Sequence, residues 1–291
     1  MPDGDNTVLM TDKYSPLKYP GWQLLVHNSV DPPEAWAVIS AIQMPCPEKT
    51  LQRVASSGNA RVFKGSISVD HSPANVFIKQ YLFRSFWDFV KHLLRSSRAK
   101  RAFQASLMLR KYGHKAPLPL MLCEKKIGPC RTMSILVTQE APGAMQLRRL
   151  LALLSRDKSK ESLRKKRRLI REFAISIGKM HSQGIVHGDT RLGNVLVGNE
   201  NEHFTFWFID NESTRCFTSA GLKQIRKNLV QINIRAKVSR TDKMRFMHSY
   251  ARHRKLSEDE TKALITLVLE KTFSRIKNRE HRKPGKSLQN K

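Results

Sequence analysis

The chain has 291 residues, of which 40% are hydrophobic and 26% are charged, a balance typical of a folded protein with a buried core and not of a disordered chain. Its 53 lysines and arginines outnumber its 24 aspartates and glutamates, and the formal net charge of +29 indicates an anionic partner: nucleic acid, an anionic membrane surface or a phosphorylated substrate. The four cysteines show no metal-ligand spacing, and no apolar run approaches the ~20 residues of a membrane span, so we expect reduced thiols and no membrane-spanning helix.

The first half of the chain predicts β-structure after a proline-rich start. Residues 1–50 contain many prolines and are interpreted as an irregular extension. Alternating apolar residues then predict strands at 60–69 and 74–81, and apolar residues at helical spacing predict a long helix over 83–113. The apolar segment MSILVTQ, residues 133–139, predicts a buried strand that completes a β-rich region.

The second half predicts helices around one short hairpin. Segments 146–154 and 162–184 have helical spacing, and Gly184 is suited to the end of the second helix. A turn at 198–203 separates two short strands, and helical patterns follow to about residue 276. The sequence therefore predicts an α+β protein with an extension (1–50), a β-rich lobe with a long helix (51–138), a hinge (139–145), a helical lobe (146–276) and a basic tail (277–291).

The segment IVHGDTRLGNVLV, residues 185–197, places Asp189 and Asn194 in a loop between a helix and the hairpin. Turn chemistry alone explains Gly-Asp and Gly-Asn pairs. With Asp210 at the end of the second strand, however, the loop also contains what phosphoryl transfer requires. One carboxylate orients and deprotonates the attacking hydroxyl, and an amide and a second carboxylate hold Mg²⁺. Lys79, the charged residue in the apolar strand segment VFIKQY, is placed to contact nucleotide phosphates.

These residues stand in the order found in the protein-kinase-like superfamily, which the chain resembles. The matching motifs are D-x-x-x-x-N at 189–194, I-D at 209–210 and V-x-I-K at 76–79. HGD in place of H-R-D is closer to the small-molecule kinases of that fold. Within it, the chain is most similar to the lipopolysaccharide core kinases, the Kdo and heptose kinases of Gram-negative bacteria. The segments that carry this similarity lie at 97–103, 113–122, 135–144, 185–197, 208–215 and 227–233.

The resemblance implies a bilobal protein-kinase-like fold, with a β-rich N-lobe and a helical C-lobe, and an enzyme that uses ATP and Mg²⁺. Asp189 would be the catalytic base, and Arg191 would stabilise the moving γ-phosphoryl group. Asn194 and Asp210 would be the metal ligands, while Lys79 would hold the phosphates. The remaining ATP-binding residues would be Gly58, Glu140 and Gln104, the last through a hydrogen bond to the lysine.

Departures from the protein-kinase pattern narrow this prediction. Asn211 and Glu212 replace the Phe-Gly of D-F-G, Gly188 replaces the arginine that docks activation-loop phosphates, and no A-P-E follows. We therefore do not expect a phosphorylation-switched protein kinase. The phosphate-covering segment SSGNARVFKG has only two glycines, and the helix segment 97–109 has no glutamate to pair with Lys79. These two features favour a catalytically silent protein of the same fold as the alternative.

The leading interpretation is a sugar kinase that phosphorylates a hydroxyl of the lipopolysaccharide inner core, or of a related glycolipid. An anionic glycolipid substrate and an anionic membrane surface are the partners that the charge of +29 suits. The chain starts without the basic and apolar regions of a secretory signal, which predicts a cytoplasmic protein, peripheral at the inner face of the inner membrane. The silent alternative would bind an anionic glycolipid or a partner. A nucleic-acid-binding protein would also explain the charge, but no nucleic-acid motif is present, so no nucleic acid is expected.

Overall fold

A computed structural model of the chain describes residues 13–47, 50–55, 60–82, 95–128, 130–200, 203–234 and 238–281. The chain divides into two compact units. The first comprises Met1–Pro142 with Asp210–Ser213, and the second comprises Gly143–Ile209 with Thr214–Lys291. The predicted ATP-binding residue Gly58 and the first part of the predicted long helix, 83–94, lie outside the described residues.

Within the described ranges, the first unit consists of a seven-stranded antiparallel sheet and two helices. Its strands are β1 (Tyr14–Tyr19), β2 (Trp22–His27), β3 (Gln52–Val54), β4 (Ala60–Val69), β5 (Ser72–Tyr81), β6 (Pro119–Ile127) and β7 (Cys130–Gln139). They lie in the order β1-β2-β6-β7-β5-β4-β3. The helices are α1 (Pro32–Gln43) and α2 (Arg98–Lys111). The strands predicted at 60–69, 74–81 and 133–139 are confirmed within β4, β5 and β7.

The two faces of this sheet pack against different helices. Side chains alternate between the faces of a strand, so Val76 and Ile78 of β5 share a core with the buried residues of α1. Tyr81 points the other way and packs with Phe103 of α2. Lys79 lies two residues before Tyr81 and therefore shares its face. This alternation places the predicted phosphate-binding lysine on the side of the sheet that carries α2.

The predicted irregular extension is wrong, since residues 14–43 form β1, β2 and α1 of the first unit. Its prolines fit regular structure. Pro16 lies in the edge strand β1, and Pro32 begins α1, where a missing N–H costs little. The strand β2 alternates as a half-buried strand should, because Trp22 and Val26 are each only 2% exposed. Proline content was therefore a poor guide to irregular structure in this segment.

The second unit is mainly helical in the part that the structure describes. Its helices are α3 (Leu147–Arg156), α4 (Lys160–Ser182), α5 (Leu222–Asn233), α6 (Arg240–His253) and α7 (Glu258–His281). Its short strands are β8 (Met145–Gln146), β9 (Ile185–Val186), β10 (Val195–Glu200), β11 (His203–Phe208) and β12 (Arg215–Cys216). The predicted hairpin is confirmed as β10 and β11, whereas α7 continues to His281, so the predicted basic tail begins as helix. Among the described helices, none is both long enough and apolar enough to cross a membrane.

Helix α4 leads the chain into the loop with the HGD motif. It begins at the N-cap Ser159, whose side chain accepts a hydrogen bond from the N–H of Ser162. Its buried face includes Phe173, whose ring lies 5.3 Å from that of Phe206 on β11. The helix ends before Gly184, where φ is +74 and a Cβ would lie 2.0 Å from a backbone oxygen of the β12 region. Only glycine fits there, so the sequence fixes where α4 stops and β9 begins.

Candidate active site

One cluster of predicted site residues lies in the first unit, on β5 and in the segment 210–213. Lys79 Nζ forms an ion pair with Asp210 Oδ1, and the two side chains are 23% and 30% exposed. The same ammonium lies 4.9 Å from the centre of the Tyr81 ring. Asp210 has a left-handed backbone with φ +64, which aspartate tolerates better than most residues. The structure thus brings together the predicted phosphate ligand and one predicted metal ligand.

Residues 211–213 form a 3₁₀ turn that is tied to helix α2. Asn211 Nδ2 donates a buried 3.0 Å hydrogen bond to Oγ of Ser106. Arg98 donates from Nε and Nη2 to the two carboxylate oxygens of Glu212, at 2.9 and 2.8 Å. Sequence reasoning missed Arg98 and Glu212 as site residues. A signal was present, because Arg98 is the first residue of α2, where a cation opposes the helix dipole.

Tyr81 lies at the centre of these charges. Its ring is 5.1 Å from Cζ of Arg98, on top of its contact with Lys79. Burial raises the pKa of the Tyr81 phenol well above its ordinary value, and the carboxylates of Glu212 and Asp210 raise it further. Burial opposes ionisation of Arg98, but the hydrogen bond and charge of Glu212 outweigh it, so the pKa of the guanidinium is raised. The cluster therefore keeps a neutral phenol beside two ion pairs.

The remaining predicted ATP-binding residues of this unit have other surroundings. Gln104 is half-buried on α2, and the expected hydrogen bond between Gln104 and Lys79 is absent from the described part of the chain, where Lys79 pairs with Asp210. Glu140 Oε1 accepts a 2.8 Å hydrogen bond from Nζ of Lys64. The carboxylate of Glu140 is therefore already engaged.

A second cluster lies in the second unit, in the loop that follows β9. Arg191 Nε donates to Asp189 Oδ1 at 2.7 Å and its Nη2 contacts Oδ2, which makes the pair bidentate. Asn194 Nδ2 donates to the backbone oxygen and to Oδ2 of Asp189, at 3.0 and 3.1 Å. The structure thus brings together the predicted base, its arginine and the other predicted metal ligand.

His187 is fully buried and holds the loop through its backbone. Its Nδ1 accepts from the N–H of Asp189 at 3.3 Å. The proton of the neutral imidazole is therefore assigned to Nε2, which donates to the carbonyl of Ile209 at 3.1 Å. Gly188 has φ +78, which glycine adopts without strain. The histidine and glycine of the HGD motif thus shape the chain on each side of the predicted base.

Gln231 of helix α5 holds the two neighbours of Asp189 in the chain. Its Nε2 donates to the carbonyl of Gly188 at 2.9 Å, and its Oε1 accepts from the N–H of Thr190 at 3.2 Å. Both ends of the amide are used, so the side chain has one orientation. Sequence reasoning missed this residue, although it lies in the segment 227–233 that carries the resemblance.

A buried polar network continues behind Gln231. Asn228 on α5 accepts from His181 Nε2 at 3.3 Å, and His181 Nδ1 lies 2.9 Å from the hydroxyl of Tyr250 on α6. Burial lowers the pKa of His181 to about 4, although the hydrogen bond that His181 donates to Asn228 opposes this shift. Since the imidazole is neutral at physiological pH, the network behind the loop contains no charge.

Asn194 and Asp210, the two predicted metal ligands, each carry an oxygen atom of the kind that binds Mg²⁺. The amide nitrogen of Asn194 is used by Asp189, so its Oδ1 is the atom offered to a cation. Asp210 offers carboxylate oxygens. Hard oxygen donors of this kind suit Mg²⁺ that is also bound by substrate phosphates. Among the described residues, no group of three or more His, Cys, Asp or Glu forms a separate metal site.

The second unit also contains an apolar cavity of about 280 Å³, called here the C-terminal cavity. Helices α3 to α7 all contribute to its walls. Its apolar lining includes Leu151, Leu169, Phe173, Leu229, Phe246 and Ile265. Sequence reasoning did not predict it, because a cavity depends on the packing of five helices.

Comparisons with known proteins identify the family and the fold of the chain. Residues 49–250, more than half of the chain, match the model of the lipopolysaccharide kinase (Kdo/WaaP) family. A similar solved structure is "WaaP in complex with acyl carrier protein", with a TM-score of 0.60 and 19% sequence identity. The match covers 86% of this chain and 98% of that one, and it confirms the predicted bilobal, kinase-like α+β fold. No curated protein matches the chain.

Proposed function

Because the chain belongs to the Kdo/WaaP lipopolysaccharide kinase family, we propose that it transfers the γ-phosphoryl group of ATP to a sugar hydroxyl of the lipopolysaccharide inner core or of a related glycolipid. The observation that carries the proposal is the loop in which Asp189 is held by Arg191 and Asn194. That loop lies inside the matched region and contains the residue types that phosphoryl transfer requires.

In this proposal Asp189 accepts the proton of the attacking sugar hydroxyl. Its carboxylate is bound by Arg191. The γ-phosphoryl group would attract the same guanidinium, since arginine binds phosphate and carboxylate with the same fork of donors. Transfer of Arg191 from Asp189 to the phosphoryl oxygens would free the carboxylate for the hydroxyl. Asp189→Asn tests this role through turnover.

Lys79 and Asp210 take the nucleotide side of the reaction. They pair with each other. Lys79 would turn to the α- and β-phosphates, and Asp210 would be a ligand of Mg²⁺, the role also proposed for Asn194. The bound ion would neutralise negative charge on the phosphates as the bond to the leaving group breaks. The Lys79–Asp210 pair keeps the two side chains aligned for the nucleotide.

The acceptor proposal is supported by a basic face on helix α5. Lys223 and Lys227 are exposed and Arg226 is half-buried, while Ile225 and Leu229 on the same helix are buried. We propose that the three basic side chains bind an anionic sugar. Replacing them with glutamine should raise KM for glycolipid and leave KM for ATP nearly unchanged. A rise in both constants would contradict a role in acceptor binding.

The localisation proposal, a cytoplasmic protein peripheral at the inner face of the inner membrane, is supported by helix α7. Leu269, Phe273 and Ile276 are 42%, 66% and 38% exposed, and their spacing places them along one side of the helix. Lys271, Arg275 and Lys277 lie among these residues in the last turns of the helix. Exposed apolar residues interspersed with basic ones are typical of peripheral membrane contact. Sedimentation with anionic vesicles should therefore fall at high salt, and Phe273→Ser should weaken it further. Equal sedimentation with neutral vesicles would contradict the anionic surface.

The experiment that tests the function directly uses ATP, Mg²⁺ and a panel of truncated lipopolysaccharides. Mass spectrometry should show one added phosphate on a core sugar. Transfer to a generic protein such as casein, with none to any glycolipid, would overturn the sugar-kinase proposal. The silent alternative predicts neither transfer nor a Mg²⁺-dependent thermal shift with nucleotide.

A second candidate activity, binding of an acyl group, is favoured by the C-terminal cavity. Its walls are mainly apolar, although Asn233, Arg240, Asp242 and Lys243 also line it, and each buried CH₂ group contributes about 0.8 kcal/mol. The similar solved structure is described as WaaP in complex with acyl carrier protein. We propose the same kind of partner here, with its acyl chain in the cavity. Calorimetric titration should give tighter binding for acylated than for unacylated carrier protein. Equal affinities would exclude binding of the acyl chain in the cavity.

A further inference from the structure

Helix α2 lacks the glutamate that pairs with the strand lysine in the kinases that the chain resembles, and its own ion pair has the reverse polarity. The helix provides the cation, Arg98, and the segment after Asp210 provides the anion, Glu212. Lys79, which would otherwise need a helix glutamate, pairs with Asp210. Each charge of the cluster therefore has an opposite charge within the first unit.

We propose that Arg98 is a positioning residue for Asp210 and replaces, through Glu212, the missing helix glutamate. The inference rests on the proposed function, because it concerns the residue that would hold Mg²⁺. In this arrangement α2 holds the residues that follow Asp210 in the chain, and Lys79 on β5 holds the Asp210 side chain itself.

Three successive residues are each bound to a different side chain of the first unit. Asp210 is bound by Lys79, Asn211 by Ser106 and Glu212 by Arg98. Two of these ties come from α2. A segment held at each residue has little freedom, so the carboxylate of Asp210 is confined to one position.

The backbone conformation of Asp210 requires such support. Its φ of +64 is a sparsely populated conformation for a residue other than glycine, and such conformations persist when their surroundings over-determine them. Glu212 lies two residues away, and its side chain is 17% exposed against 11% for Arg98. Breaking this shielded, bidentate pair would release the turn next to the strained residue.

Arg98 lies at a position in α2 that disfavours its positive charge. It is the first residue after the N-cap Ser97, where the helix dipole disfavours a cation. A cation there gains nothing from the helix itself. Its raised pKa instead reflects the hydrogen bond and charge of Glu212 acting against burial. The arginine is thus placed for its partner on the 210–213 segment.

The test measures binding of a non-hydrolysable ATP analogue to the full chain during titration with Mg²⁺. Loss of groups that orient metal ligands costs about 10- to 100-fold in metal affinity. Arg98→Gln and Glu212→Gln should therefore each raise the half-saturating Mg²⁺ concentration by about 10- to 100-fold. The double variant should be no worse than the stronger single variant, because both remove one interaction. In EDTA, nucleotide affinity should stay within about threefold of the unmodified chain, within the context dependence of such measurements.

Arg131→Gln is the matched control. It breaks another shielded arginine–glutamate pair of the first unit, Arg131 with Glu124, at 3.0 Å and with 18% and 12% exposure. It should lower thermal stability and leave the Mg²⁺ titration unchanged. If circular dichroism shows that Arg98→Gln is unfolded, the test uses Glu212→Gln, which keeps the size of the side chain and a hydrogen-bond acceptor. The same increase in the half-saturating Mg²⁺ concentration is then expected of that variant.

The outcomes separate the two proposals. A Mg²⁺-dependent unmodified chain whose Arg98 and Glu212 variants behave like Arg131→Gln would overturn the positioning role and leave the proposed function intact. An unmodified chain that binds nucleotide with no dependence on Mg²⁺, or not at all, would overturn the proposed function and this inference with it.

Discussion

The two clusters of site residues are held by different kinds of interaction. The loop around Asp189 is fixed mainly by neutral groups that bind its backbone, namely His187 and the amide of Gln231. The segment after Asp210 is fixed by ion pairs, with Lys79 and Arg98 as the cations. Neutral hydrogen bonds to the backbone define geometry at any ionic strength, whereas ion pairs respond to every new charge. The difference suits the two proposed roles. Asp189, the proposed base, stays in one position, whereas Asp210, the proposed metal ligand, must exchange Lys79 for Mg²⁺.

The largest effect should come from removing one carboxylate in each cluster. Asp189→Asn should lower turnover by about 10²- to 10⁴-fold, since a positioned base is lost, and should spare nucleotide binding. Asp210→Asn should weaken Mg²⁺-dependent nucleotide binding, and asparagine tolerates its left-handed backbone. Single-turnover kinetics and nucleotide titrations distinguish the two. Equal loss of nucleotide binding in both variants would contradict the division of roles.

Lowering the pH should destabilise the fold through His181, in the buried neutral network behind the Asp189 loop. The pKa of His181 is about 4 in the folded chain against about 6.5 in the unfolded one, so the unfolded state binds more protons between these values. Stability should therefore be fully present above pH 6.5 and fall by about 3 kcal/mol as the pH drops to 4, at 1.36 kcal/mol per unit. Urea unfolding across this range measures it.

His181→Gln should flatten this acid dependence, because the group that gains a proton on unfolding is gone. His248→Gln, on the exposed face of the same helix as Tyr250, provides the control and should keep the slope. An unchanged slope in the His181 variant would mean that other groups govern acid unfolding.

Gln231→Ala should loosen the loop around Asp189. Its two hydrogen bonds to the neighbours of Asp189 are lost, and leaving buried backbone groups without partners costs about 1–3 kcal/mol. If that loss falls on the position of the base, kcat should drop about 5- to 100-fold, with nucleotide affinity retained. Gln224→Ala, two turns earlier on α5, is the control. A fall in nucleotide affinity without loss of kcat would contradict a loop-positioning role.

The smallest effect should come from the helix caps. Ser97 accepts from the N–H of Lys100 at 2.9 Å, and Ser159 accepts from the N–H of Ser162 at 3.2 Å. Replacing either with alanine should lower stability by about 1 kcal/mol. Because α2 carries Arg98, Ser97→Ala should also raise the Mg²⁺ requirement slightly, whereas Ser159→Ala should not. An equal change in the Mg²⁺ requirement of both variants would contradict the proposal that α2 positions Asp210.

Local patterns in the sequence predicted much of this molecule. Alternation identified β4 and β5, helical spacing identified α3 and α4, and the motif at 185–197 identified the loop whose side chains meet in the structure. These features depend on residues that lie close together in the chain. The error in residues 14–43 arose from giving prolines more weight than the alternation of β2.

The residues that sequence reasoning missed depend on contacts between distant segments. Arg98 and Glu212 are 114 residues apart, and Gln231 is 43 residues from Gly188. No periodicity within a helix or strand reports such a pair. A residue that its own element disfavours, such as a cation at the start of α2, is the kind of local signal that can indicate a distant partner.

The assignment of Asp210–Ser213 to the first unit has a consequence for biosynthesis. A ribosome adds about 5–20 residues per second, so the partners of Lys79, Ser106 and Arg98 emerge several seconds after the rest of their unit. Until then the nascent chain lacks the carboxylates of Asp210 and Glu212, which pair with Lys79 and Arg98 in the folded unit. Early docking must therefore depend on α1 and the sheet, and the charged cluster is a late step in folding. We expect a chain stopped at Pro142 to be a better chaperone client than the full-length protein, which pull-down from a stalled translation reaction can measure.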